Sequence, residues 1–211
     1  MPTLLQIDSS PSPSSVSREL TREFVHAWKT AHPDGNAIYR DLALNPPEPV
    51  TASWISAAYT RPDARTPEQN KVLAFSDELI SELERADEYV IGVAMHNFAV
   101  PAVLKLWVDQ VVRSGRTFSS SSHQGSTGLL QGKKAIILEA SGGVYKSGTP
   151  AAAMNHIDPY LKTILSFIGV NDVRFVSAQG SAKLMRGAVD RAAFLKSTLE
   201  QVRAAIVEPR T

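Results

Sequence analysis

The chain has 211 residues, 43% of them apolar and 20% charged, with a formal net charge of +1. That balance suits one ordinary globular domain with a real core; it excludes a disordered chain, a strongly basic nucleic-acid binder and a surface built for anionic membranes. There is no cysteine, which excludes disulfides, thiolate catalysis, iron–sulfur clusters and cysteine-ligated zinc. No basic region precedes the opening apolar run and no apolar stretch reaches membrane-spanning length. The expectation is a soluble cytoplasmic protein with no nucleic-acid or membrane partner.

Taken in order, "TLLQI" (Thr3 to Ile7) predicts a buried strand that ends in polar Asp8, Ser9 and Ser10. Leu20, Phe24 and Trp28 recur at helical spacing, which predicts an amphipathic helix with Ser17 as its N-cap. "NAIYRDL" predicts a second strand. Asn45 to Thr66 is rich in Pro, Ala and Ser, with only a brief "WISAAY" turn, and is too long for a plain connection; it reads as a working loop or part of an interface. Thr66 or Pro67 opens a helix whose apolar face is Val72, Phe75, Leu79, Ile80 and Leu83. "DEYVIGVAM" is a nearly all-apolar strand, and Pro101 starts the next helix at its favoured first position. "KKAIILEA" is a further strand, "PYLKTILSFIG" a helix stopped by Gly169, "DVRFVSA" a strand, and the last helix runs from about Gly187 to Val207. The serine clusters at Ser9 to Ser17 and Ser119 to Ser122 read as loops.

Apolar strands alternate with helices. Strands that are apolar throughout need cover on both faces, so the fold class is α/β: a five-stranded parallel sheet in the doubly wound, flavodoxin-like arrangement, with five helices on its two faces, in a single domain over residues 1–211.

Ligands of such sheets sit outside the carboxyl ends of the strands. Three segments lie there. The stretch from Asp8 to Arg18 leads from a strand into a helix and is dense in hydroxyls, so a phosphate would meet free N–H groups and the positive helix end, with Ser15 and Ser17 adding donors. The alternative is a polar turn that merely caps the helix. The segment lacks both G-x-G-x-x-G and the phosphate loop of nucleoside-triphosphate binders. "MHNF" (Met95 to Phe98) follows the third strand; Asn97 can donate and accept, and His96 and Phe98 could wall a planar ring. Taken singly, Phe98 could equally be core, Asn97 a turn residue and His96 an exposed imidazole. "ASGG" (Ala140 to Gly143) offers glycines where backbone must turn or approach something closely.

Together these segments resemble the FMN-dependent NADH azoreductases, a branch of the NAD(P)H:quinone oxidoreductase family. The resemblance spans nearly the whole chain. It is carried by "LLQIDSS" with "SVSR", by "FSDELISELERADEYVIGVAMHNFAVPAVLKLWVDQVVRSGRTF", by "GLLQGKKAIILEASGGVYKSG" and by "YLKTILSFIGVNDVRFVSAQG". It implies a flavodoxin-like homodimer with one FMN per subunit, NADH or NADPH as donor, and quinones or azo compounds as acceptors, reduced by ping-pong two-electron transfer. By the motif match, Ser10, Ser15, Val16 and Ser17 would hold the FMN phosphate end. Met95, His96, Asn97 and Phe98 would lie along the flavin ring, and Ala140, Ser141, Gly142 and Gly143 would bound its other edge. The flavin, not a side chain, would carry the chemistry. Two places depart from the family pattern: His96 stands where the motif commonly has tyrosine, and "ASGG" where it has Ser-Arg-Gly-Gly.

The Asn45 to Thr66 loop and "FSSSSHQGSTG" are candidate covers of the site, which a partner subunit could supply, with Trp54, Tyr59, Phe118 and Phe167 as candidate substrate walls. His26, His32, His96, His123 and His156 show no metal-ligand spacing. Two other classes stay open: an FMN electron carrier with no pyridine-nucleotide activity, and a binding module on the same fold that takes no flavin.

Overall fold

The computed structural model describes residues 1–121 and 125–207. Its elements run β1 (Thr3–Asp8), α1 (Val16–Ala31), β2 (Asn36–Asp41), α2 (Ala52–Tyr59), α3 (Pro67–Arg85), β3 (Glu88–Ala94), α4 (Ala102–Val111), β4 (Phe118–Ser121), β5 (Gly125–Gly128), β6 (Lys134–Ser141), α5 (Ile157–Phe167), β7 (Asp172–Gln179), α6 (Ala182–Met185) and α7 (Arg191–Val207). Five strands pair in parallel in the order β2-β1-β3-β6-β7. The chain leaves β1 for β2 on one side and then crosses to β3 on the other, so the order reverses between β1 and β3. A crevice therefore opens above their carboxyl ends.

The reason for continuous apolar strands is visible in the two cores. Leu5, Ile7, Ile91, Val93 and Ile137 point to the face covered by α3, α4 and α5, where Leu79, Ile80, Leu83, Trp107 and Leu161 meet them. Leu4, Val90, Ile136 and Leu138 point the other way, against Leu20, Phe24, Trp28, Leu195 and Val202 of α1 and α7. Trp28, Trp107 and Phe24 are fully buried, and burying each such side chain contributes roughly 2–3 kcal/mol. Gly92 on β3 permits the closest of these contacts. A Cβ there would stand 2.8 Å from both Asp8 Oδ1 and Thr21 Cγ2, so only glycine lets α1 press onto the strand.

Several boundaries differ from the expectation. Helix α1 starts at Val16 with Ser15 as N-cap, so Ser17 lies inside the first turn and is not the cap. Val72 is exposed and Leu73 is buried in its place, a one-residue rotation of the α3 stripe. Thr66 does open α3, in a capping box with Gln69, and Pro67 follows at the first helical position. Pro101 is the N-cap of α4, one place before the position expected. Gly169 ends α5 as expected, at φ +106°, with Val170 N–H closing on Leu165 O at 2.8 Å. The stretch after Asn45 contains a true helix, α2, capped by the Thr51 hydroxyl. Ser119 to Ser121 belong to strand β4 of a short antiparallel hairpin, not to a loop. Helix α7 begins at Arg191, with α6 as a separate turn before it. No helix among the described residues is long and apolar enough to cross a membrane.

Candidate functional site

Three loops leave the carboxyl ends of β1, β3 and β6, which are neighbours in the sheet. The first is tied to β3: Ser9 donates to Gly92 O from both its N–H (3.3 Å) and its hydroxyl (2.7 Å). The second is tied to the third by Met95 N–H, which donates to Ala140 O at 2.8 Å. Segments 10–17, 95–98 and 140–143, far apart in sequence, therefore form one rim.

At the first loop the side chain of Ser15 makes no capping bond; its hydroxyl faces that of Ser17 at 3.0 Å. The first-turn N–H groups at Val16 and Ser17 have no intrahelical acceptor, the arrangement that receives a phosphate. Val16, Ser17 and Ser10 are all buried. Beneath the loop, Arg18 grips Asp41 with two bonds of 2.7 and 2.8 Å and donates from Nε to Ser10 O at 2.8 Å. Its guanidinium is also 3.7 Å from Asp8, which accepts from the Thr21 hydroxyl at 2.8 Å and the Tyr39 hydroxyl at 3.2 Å. Burial pushes the Asp8 carboxyl up, against the pull of Thr21, Arg18 and Tyr39. Burial would raise Asp41 as well, but the Arg18 fork, the Leu44 N–H and the Tyr39 hydroxyl together hold it below the usual range. The Tyr39 phenol is pushed up to about 12 by burial and by Asp8. Arg191 adds a second tie, donating to Ser14 O at 3.0 Å and pairing with Glu19.

The second loop is a tight reversal. His96 and Ala99 exchange both backbone hydrogen bonds at 3.0 Å, and the two residues between them have positive φ, Asn97 at 48° and Phe98 at 71°. That is the pattern of a type I′ turn, which favours asparagine followed by glycine. A phenylalanine in the second place is strained by roughly 1–2 kcal/mol. The strain is held by neighbours: His156 N–H donates to Phe98 O at 3.0 Å, and the Phe98 ring meets Tyr145 edge-on at 6.0 Å. Strain maintained in this way is characteristic of ligand sites. Among the described residues, the N–H groups of Asn97 and Phe98 donate to nothing in the protein. They face outward with the exposed His96 and Phe98 side chains.

The third loop is braced from β7 and the turn after it. Gly180 N–H donates to Gly143 O at 2.8 Å, Ser181 donates to Ser141 O through N–H (2.9 Å) and hydroxyl (3.0 Å), and the Gln179 side chain accepts from Tyr145 N–H at 2.7 Å. Ser141 is buried with its hydroxyl on Gly143 O at 3.1 Å, so it shapes the loop and does not face the rim. Gly142 is exposed, and a Cβ there would meet Ala182 Cβ at 3.8 Å, an ordinary contact, whereas one on Gly143 would stand 2.7 Å from the Tyr145 hydroxyl.

The three segments that hold the twelve residues named from the sequence thus adjoin at one end of the sheet, with the Ser141 side chain turned away from the rim. Sequence reasoning missed Tyr145, Arg18 and Asp41 there, although an aromatic two residues after "GG" was a legible signal for Tyr145. Trp54 is mostly buried, its indole donating to Gln110 Oε1 at 2.8 Å, and it lines a cavity with Leu44, Val72 and Phe75. Phe118 and Phe167 pack on each other with centroids 4.7 Å apart. Gly128 N-terminal to β6 abuts Ile168 and Gly169, before β7, so the base of the β4–β5 hairpin sits at the amino edge of the sheet and does not cover this chain's own rim. Residues 122–124, His123 included, lie outside the described residues. No group of three or more His, Asp or Glu suited to a metal occurs among the described residues.

The family model of the flavodoxin-like fold matches residues 2–205. An FMN-dependent NADH:quinone oxidoreductase of Acidobacterium capsulatum is 63% identical over 203 residues, 96% of this chain and 98% of the relative. An FMN-dependent NADH:quinone oxidoreductase of Burkholderia lata is 46% identical over 202 residues, 95% and 97% of the two chains. Among solved structures, an azoreductase from Bacillus anthracis superposes with a TM-score of 0.86 at 27% identity, over 98% of this chain and 99% of that one. An FMN-dependent NADH-azoreductase of the same species in complex with FMN superposes with a TM-score of 0.84 at 26% identity, over 97% of each chain.

Proposed function

The chain belongs to the flavodoxin-like fold family, among the FMN-dependent NADH:quinone oxidoreductases, and from that premise we propose that it binds FMN on the rim just described and passes two electrons from a reduced nicotinamide to quinones and azo compounds. The observation that carries this reading is the strained 96–99 turn, whose two outward N–H groups stand between a helix N-terminus suited to phosphate and a glycine-bearing loop suited to a ring edge.

The N–H groups of Val16 and Ser17 and the hydroxyl of Ser15 would hold the phosphate end, with Ser10 fixing the loop through its carbonyl on Arg18. Met95, His96, Asn97 and Phe98 would line one side of the ring and Ala140, Gly142 and Gly143 the other, with buried Ser141 shaping that loop from behind. When bound, FMN supplies hydride exchange: NADH or NADPH gives up two electrons, and a quinone with two protons becomes a hydroquinone. The protein's share is position and electrostatics. Donor and acceptor would use the same open face in turn, which makes the kinetics ping-pong. The same reading takes residues 1–211 as one FMN-binding domain acting as a cytoplasmic homodimer. Exposed Leu44, Ile55, Tyr59 and Val72 support a second copy against the α2–α3 side.

Initial rates of the FMN-loaded protein, with NADH varied at several fixed concentrations of a benzoquinone, test the order. Parallel double-reciprocal lines are expected; converging lines would contradict the shared face. FMN binding without turnover on either nicotinamide would point to an electron carrier.

A further inference from the structure

Between Lys134 and Ser141 at its ends, strand β6 is apolar except for Glu139, which is fully buried on the α5 side of the sheet. Neither of its carboxyl oxygens has a hydrogen-bond partner. Facing it from the first turn of α5 is Asp158, whose Oδ1 is also buried and unpartnered. From β7 the neighbour is the Ser177 hydroxyl, and from β3 it is apolar Val93. Glu139 is fully buried, while Asp158 is half-buried with its Oδ1 turned inward; a Glu139 carboxylate would sit in an apolar site against a second carboxyl, so one proton held between the two supplies the hydrogen bond that the buried oxygens lack. Asp158 sits at a helix N-terminus, where negative charge is favoured, so the proton belongs on Glu139.

The pair joins the two elements that hold the ring-binding side of the rim. The residue after Glu139 is Ala140, whose carbonyl receives Met95 N–H. Two residues before Asp158 is His156, whose N–H holds the strained Phe98 carbonyl. We propose that Glu139 and Asp158 form a one-proton carboxyl latch between β6 and α5 that positions the 95–99 turn, so that loss of the proton loosens the turn and weakens FMN. The FMN part rests on the function proposed above; the latch itself does not.

Burial, and then Asp158, push the Glu139 carboxyl up to about 8. Above the ordinary carboxyl range and below about 8, the folded chain holds a proton that the unfolded chain has lost. Stability therefore falls as pH rises through that window, by up to about tenfold in the folding equilibrium per pH unit, and levels off above it.

The test has three readouts. The infrared spectrum of the flavin-free protein near neutral pH should contain a buried protonated-carboxyl carbonyl band that disappears above about pH 8 and is missing in Glu139→Gln. Urea unfolding of the flavin-free protein from about pH 5 to 9 should show the falling midpoint, and Glu139→Gln should flatten it. The FMN dissociation constant should rise with pH near 8 in the parent and stay level in the variant, which also controls for titration of the flavin itself. No protonated-carboxyl band at neutral pH overturns the latch, even if the variant fails to fold. An unchanged pH slope in Glu139→Gln overturns it as well. With band and slope as expected, FMN affinity independent of pH overturns the positioning role. If FMN does not bind at all, the function proposed above fails while the first two readouts still decide the latch.

Discussion

Arg18→Met removes the guanidinium beneath the 9–15 loop while keeping most of the side chain's bulk. Arg18 is 13% exposed at its side chain, and Asp8 and Asp41 beside it are 3% and 6% exposed. Taking one partner from a buried ion pair leaves uncompensated charge and costs about 3–5 kcal/mol; partial exposure of Arg18 puts this case near about 3 kcal/mol. The Ser10 carbonyl also loses its donor. A bond from a charged group contributes about 1.5–3 kcal/mol, so loss of the loop's anchor should weaken FMN roughly tenfold or more. The pH dependence has a definite sign. In the parent the Asp41 carboxyl is held low, so it contributes stability that is present above its unfolded value and lost as pH falls through its folded one. Without Arg18, burial raises Asp41 and raises Asp8 further. The variant's deficit should therefore be greatest at neutral pH and shrink as pH falls toward about 4. Urea unfolding followed by tryptophan fluorescence, with FMN titration alongside, reads both effects. Adding Asp41→Leu to Arg18→Met should recover part of the loss, because both partners are then gone. A deficit below about 1 kcal/mol at neutral pH, or one that does not change with pH, would refute the claim that this network anchors the loop.

Three further substitutions separate structure from site. Gly92→Ala should destabilise by about 1–3 kcal/mol, since the new Cβ overlaps Asp8 and Thr21, and thermal unfolding should show it. Phe98→Gly relieves a positive φ but removes the ring against Tyr145, so the unfolding midpoint should move little while FMN affinity drops; equal affinity would detach Phe98 from the ring site. Trp54→Phe strands the Gln110 carbonyl and should cost about 1–2 kcal/mol of stability, leaving KM for a quinone unchanged.

Much of this was legible because the relevant forces are local. Leu20, Phe24 and Trp28 mark the α1 stripe at helical spacing, and all three are buried. Thr66 and Pro67 announce the start of α3, where the structure adds a capping box with Gln69, and Gly169 supplies the left-handed residue that ends α5. The rim followed from the rule for parallel sheets once the strands were in order. The failures share a cause in tertiary contact. Serine has weak strand preference, so Ser119 to Ser121 gave no sign of pairing with residues 125–128. The helix at Ala52–Tyr59 is short and depends on Trp54 reaching Gln110, 56 residues away. Arg18 and Asp41 stand 23 residues apart and look like ordinary surface charges until the loop folds over them. Glu139 drew no notice within the strand "KKAIILEA"; only its placement under α5, against Asp158, makes it unusual.

The central claim is that the rim formed by Ser10 to Ser17, Met95 to Phe98 and Ala140 to Gly143 holds a flavin that a nicotinamide can reduce. The most direct measurement is the visible spectrum of the protein after FMN loading and removal of free flavin, followed anaerobically through addition of NADH and then of a quinone. The expected result is a retained yellow colour that bleaches with NADH and returns with the quinone. A protein that retains no FMN, or whose colour is indifferent to both NADH and NADPH, would contradict it.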